Sequence, residues 1–286
     1  MEPLDFVSVV LRAAAFIAAL QAAGLAWFVA AYHRAEVAAT HSVDGLLRVS
    51  ALVALVLVVI QRALDAGRLA GDWSGVVDFH LQSMVWSRRP GLSSLTCAVG
   101  LMVLAGGGGS SKRWSGAVVS LGAVAVVASF ALTGHTTEAA HALCLQGLIS
   151  LHVGIAAYWI GAVAGLHRLT RHSDAPSVAR AAARFSTTAV WLVPLILPAG
   201  GLLIWGLLPD LAAIRTPYGG FLLIKALGLC GLMLLAARNR FKELPAMVAG
   251  NAGAVRTFRL VLHAEYVLIC GVLATTATMT SLVSWH

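Results

Sequence analysis

The stretch AAHALCLQGLISLHVGIAAYWIGAVAGL, residues 139–166, contains no Asp, Glu, Lys or Arg. A helix that crosses a bilayer needs about 20 largely apolar residues, and this run exceeds that length. Backbone polar groups in lipid must bond to one another, so such a run reads as a spanning helix. Further runs of the same kind lie at 6–32, 46–64, 86–105, 114–133, 184–208, 217–237 and 257–282. The segment 76–86, ahead of the third span, reads as an interfacial or re-entrant piece. The expected fold is all-α, a polytopic membrane helix bundle of about eight transmembrane helices.

Composition agrees. The chain is 59% hydrophobic and 11% charged, where a soluble domain carries about 25% charged residues. No long polar stretch remains for a soluble unit, so residues 1–286 form a single membrane domain. The net charge of +8 does not point to nucleic acid, because the basic residues gather in alternate loops. Arg34, Lys112 with Arg113, Arg168 to Arg184, and Arg238 to Arg259 follow the first, third, fifth and seventh spans. Basic loops stay in the cytoplasm, which places both termini outside. The loop after span 2 runs against this pattern with Arg62, Arg68, Arg88 and Arg89, partly balanced by Asp65, Asp72 and Asp78. Glu2 and Asp5 precede a run too long for a signal peptide, so the first span is expected to be retained. Cys97, Cys144, Cys230 and Cys270 all fall in apolar runs and form no C-x-x-C, which argues against a disulfide framework.

Weak echoes suggest two halves in the same orientation, 1–135 and 136–286. Arg48-Val49-Ser50 opens span 2 and Arg184-Phe185-Ser186 opens span 6. Gly24 precedes the first arginine by 24 residues and Gly161 precedes the second by 23. GLMVLA at 100–105 resembles GLMLLA at 231–236. Parallel repeats of this kind place transporter sites at the repeat interface. Chance similarity between Leu- and Ala-rich helices explains the same echoes.

Ionisable groups within spans are costly and are therefore functional candidates. Arg12, His152, Lys225, His263 and Glu265 are such groups. Depth counting brings Glu265 within side-chain reach of Lys225 or Arg12, as a structural ion pair or as part of a transport or proton path. His263 and Glu265 lie about 200° apart on one helix, so only one of them faces a given site; His263 is the one expected to face inward.

The histidines carry the metal signal. His135 lies in the loop before span 5, His141 starts that span, and His152 follows eleven residues later. Eleven residues are three turns plus about 20°, which puts His141 and His152 on one face about 16 Å apart in depth. Cys144 is close to that face, and His80 with Met84 can join from the neighbouring outer loop. Imidazole suits copper, and thiolate or thioether favours Cu(I). His33, His41, His167 and His172 read as ordinary residues of the basic loops. Trp159 with Gly161 reads as a close helix-packing site.

Several stretches resemble the copper resistance protein D family of bacterial inner-membrane proteins. They are Thr133-Gly134-His135, Leu151-His152 with Tyr158-Trp159-Ile160-Gly161, Arg184-Phe185-Ser186, Thr216-Pro217-Tyr218-Gly219 leading to Lys225, and Arg259 with Glu265. The resemblance implies an eight-helix inner-membrane protein that moves copper inward from the periplasm, often beside a CopC-like periplasmic copper-binding partner. His135 and His152 match motif positions; His141, Cys144, His80, Met84 and His263 rest on the residues alone. No G-x-x-x-x-G-K-[ST] nucleotide loop is present, so transport would run on a gradient or on ligand exchange, without enzymatic chemistry. The alternative is a haem b-binding electron-transfer protein, a quinol-linked cytochrome and so an oxidoreductase, with His152 and His263 or His141 and His80 as axial pairs. A non-catalytic membrane scaffold is the third reading.

Overall fold

The computed structural model describes residues 3–32, 37–107, 115–133, 141–207 and 215–282, and these are helical almost throughout. The helices are α1 (Pro3–Tyr32), α2 (Val37–Ala70), α3 (Phe79–Ser87), α4 (Arg89–Gly107), α5 (Ser115–Ser129), α6 (Ala142–His172), α7 (Ala175–Leu192), α8 (Ile196–Leu207), α9 (Pro217–Arg238), α10 (Leu244–Val248) and α11 (Ala254–Leu282). Seven segments among the described residues are long and apolar enough to cross a membrane, and Gly116–Leu132 is a shorter apolar helix. Large apolar side chains such as Leu52, Val56, Leu121 and Leu227 stay exposed on these helices; lipid is the solvent that tolerates them. The protein is an all-α polytopic membrane bundle.

Small residues decide which helices touch. Gly24 of α1 and Gly161 of α6 meet backbone to backbone, and a Cβ on either would fall inside the other helix. Gly165 lies against Phe28 one turn further along both helices, so α1 and α6 run in the same direction. The two glycines matched in the sequence as corresponding positions thus oppose each other. In lipid no hydrophobic drive separates helix from tail, and close van der Waals approach replaces it. Gly100 and Gly122 make a similar antiparallel crossing of α4 and α5, so short α5 returns the chain to the end where α6 begins. Gly228 and Gly231 of α9 receive Val272 and Leu268 of α11, also antiparallel.

Polar side chains tie α1 to its neighbours. Gln21 Nε2 donates to Ser50 Oγ at 2.7 Å, and Tyr266 OH donates to Gln21 Oε1 at 2.6 Å. Gln61 Nε2 donates to Ser8 Oγ at 2.9 Å.

Two breaks shape the second half. Pro194 and Pro198 lack the N–H a helix needs, and the chain passes through a 3-10 turn, Val193–Leu195, between α7 and α8. After α9 the helix widens into a π segment, Asn239–Glu243, which turns Asn239 and Glu243 into the interior. Such π segments are frequent at functional sites.

The segment 76–86, expected to be interfacial, starts at the end of a 3-10 turn, Trp73–Val76, and is mostly α3. Asp72 accepts from Ser74 N at 2.7 Å and from its hydroxyl, which holds its carboxyl below the usual carboxylate range. Asp78 caps α3, accepting from His80 N and Leu81 N at 2.8 and 3.0 Å. Asp78→Ala is expected to destabilise this corner by about 1 kcal/mol. Faster amide hydrogen exchange confined to α3 would register it.

Candidate metal-handling site

α2 packs on α4, but among the described residues α7 and α8 share no packed seam with α9. A cleft therefore opens in the second half, with α6 and α11 as its floor. His152 lies on that floor, half-buried, against Gly200 of α8. The backbone of Ile196, at the proline-broken junction of α7 and α8, lies near the ring. Its Nδ1 is buried and has no hydrogen-bond partner. A buried imidazole nitrogen without a protein partner is a potential metal-ligand atom. Lys225 of α9 is close enough to act on His152 electrostatically, and it forms no ion pair among the described residues.

Two turns further along α6, Trp159 points onto the same floor. Its Nε1–H donates to Glu265 Oε2 at 3.4 Å, and Asn239 Nδ2 donates to Glu265 Oε1 at 2.6 Å. Glu265 is 1% exposed. Asn239 Oδ1 has no partner. These groups sit at the back of a cavity of about 230 Å³ walled by Phe185, Phe241, Phe258 and Leu262, with Ser186 and Arg240 on its lining. Arg240 Nη1 donates to the Ser186 hydroxyl and carbonyl at 2.5 and 3.0 Å. An apolar cavity with a few convergent polar groups is the usual form of a small-ligand site.

The charged residues singled out in the sequence do not pair as expected. Glu265 bonds Trp159 and Asn239, and neither Lys225 nor Arg12 reaches it. The helix register gives the reason. Gly228 faces Val272 and Gly231 faces Leu268, which sets Lys225 level with Thr275, about 15 Å along α11 from Glu265. Arg12 Nη1 donates to the Thr280 carbonyl at 3.4 Å, about 22 Å along α11 from Glu265.

The histidines also separate. His263 is exposed and its ring lies 6.1 Å from that of His167, centroid to centroid. His263 is therefore level with His167, about 22 Å along α6 from His152. The axial pair of His152 and His263 is not formed, and the inward-facing residue of α11 is Glu265. His167 belongs to α6 and not to a loop. His141 and Cys144 are exposed at the start of α6. His80 is exposed and Met84 half-buried on α3, which packs on α2 and α4. His135 lies outside the described residues. Among the described residues no three of His, Cys, Asp and Glu converge to hold a metal ion.

Asn239 escaped the sequence reading because it sits between Arg238 and Arg240 and looks like loop. The one local signal is Pro245, six residues on, which disturbs the backbone bonding of the turns before it.

The fold and these residues define a polytopic helix-bundle membrane protein that keeps ionisable side chains inside a half-open second half. Residues 3–142 match the family described as Copper resistance protein D-like, N-terminal domain, and residues 179–279 match Copper resistance protein D. The chain belongs to the copper resistance protein D family, and is a copper-resistance membrane protein. Neither a curated protein nor a solved structure matches it.

Proposed function

We propose that the protein moves copper inward from the periplasmic face along the floor of the cleft, with His152 as the first ligand inside the membrane. The observation that supports this is the buried, unpartnered Nδ1 of His152, on the floor of the cleft beside Gly200 of α8. The alternation of basic loops supports an inner-membrane orientation with both termini outside. In that orientation His141 and Cys144, at the start of α6, stand at the outer mouth above His152, and the sequence puts His135 just ahead of them. A CopC-like periplasmic protein is the donor that the family resemblance suggests. Copper is cargo here, and no chemical step is required of the chain.

Lys225 gives the path a gate. A charged ammonium beside His152 repels an arriving cation, so copper and the lysine proton compete for the same space. Glu265, held by Trp159 and Asn239, is the next group along the floor and offers a carboxylate to a cation that has passed.

His152→Ala is expected to lower copper uptake into proteoliposomes by roughly tenfold to a hundredfold, the range seen when metal-site groups are removed. Elution in detergent should be unchanged, because the imidazole is half-buried and its Nδ1 has no hydrogen-bond partner to lose. Wild-type uptake in this variant, with the fold intact, would remove His152 from the path.

A further inference from the structure

His167 of α6 and His263 of α11 lie together at the end of the bundle where the arginines gather, away from the outer histidines. Their ring centroids are 6.1 Å apart with an interplanar angle of 37°. They are one residue along from Leu166 and Leu262, which line the cavity holding Glu265. A metal bound to one nitrogen of each ring lies about 2 Å from both, which sets the centroids about 6.2 Å apart when the ligands oppose each other. The observed centroid spacing matches that length.

The surroundings select the ion. The charged groups acting on His167 are Arg171, His263 and Arg259, all cationic or potentially so. Zinc and other divalent ions call for about four ligands and usually some anionic charge, and no group of three His, Cys, Asp or Glu is found among the described residues. Cu(I) carries a single charge and is content with two opposed nitrogen ligands. A site of two imidazoles, with two arginines and no carboxylate among the charged groups acting on His167, thus favours it over hard divalent ions. His263 is exposed, so the ion can be passed on.

We propose that His167 and His263 form a second copper site, a two-coordinate Cu(I) site at the basic end of the bundle. It rests on the copper-handling reading above and extends it, by giving copper that has passed Glu265 a place to wait before release.

The test is equilibrium binding in detergent, which needs no transport. Cu(I), supplied anaerobically as its acetonitrile complex, is titrated against a chromophoric Cu(I) chelator with wild type, His167→Ala, His263→Ala, the double variant and His152→Ala. Each single variant is expected to lose one copper equivalent, and the double variant no more than one, because the ion is shared. His152→Ala should keep that equivalent even where it abolishes uptake. X-ray absorption of the His152→Ala protein should show two nitrogen neighbours at about 2 Å. Size-exclusion profiles control for folding, and the exposed position of His263 makes its variant the more secure. An unchanged equivalent in the double variant would overturn the site, as would losses that add between the two single variants. Failure of uptake with the equivalent retained would instead count against the transport reading alone.

Discussion

Gly161→Leu is expected to leave no folded bundle to purify. Gly161 lies against the Gly24 backbone, and a Cβ built on it falls inside α1. The atoms it meets are main chain, so no rotamer change relieves the clash; the two helices must part. Around the crossing Ala22, Ala23, Ala26, Ala157 and Ala162 are fully buried, and parting the helices leaves voids along the whole seam. Overpacking a well-packed core costs about 1–3 kcal/mol even where side chains can yield, and close-packed interiors pass that strain on. Gly161→Ala should therefore cost at least about 3 kcal/mol by that scale, and leucine should prevent assembly. Gly201→Ala is the control, since nothing lies within 4 Å of a Cβ there. The readout is the monodisperse fraction and melting temperature in detergent. Wild-type behaviour of Gly161→Leu would mean that α1 and α6 do not cross at these glycines.

The spans were legible because lipid imposes a length and a composition that few other environments demand. The expected 217–237 and 257–282 correspond to Pro217–Val248 and Ala254–Ser281; the first grows because the π segment continues the helix past its arginines. Which span each of the ionisable residues occupies was legible too. Register between spans was not. Whether Lys225 meets Glu265 depends on where Gly228 and Gly231 seat Val272 and Leu268, and nothing in the order of residues specifies which glycine receives which side chain. The choice between His263 and Glu265 as the inward group failed for a similar reason. Their 200° separation showed that they face apart, while the direction was set by Trp159 and Asn239, which come from elsewhere in the chain.

Glu265→Gln is expected to keep the bundle and stop the copper, whereas Glu265→Ala damages both. The carboxylate accepts two bonds, from Asn239 Nδ2 and from Trp159 Nε1. Alanine removes both acceptors and leaves two donors buried, at about 1–3 kcal/mol each. Glutamine has one oxygen and one amide nitrogen in their place, which at first sight sets a donor against the Asn239 donor. Asn239 Oδ1, however, is buried without a partner. If the Asn239 amide turns over, its oxygen accepts from the new amide, while the glutamine oxygen accepts from Trp159. Every bond is then remade and stability should stay within about 1 kcal/mol of wild type. What glutamine does not restore is a group that can carry a charge. If Glu265 receives copper after His152, uptake should fall roughly tenfold or more in this variant, with the melting temperature nearly unchanged. Uptake at the wild-type rate would show that Glu265 serves only to join α6, α11 and the π segment, and the path would have to leave the floor above Trp159.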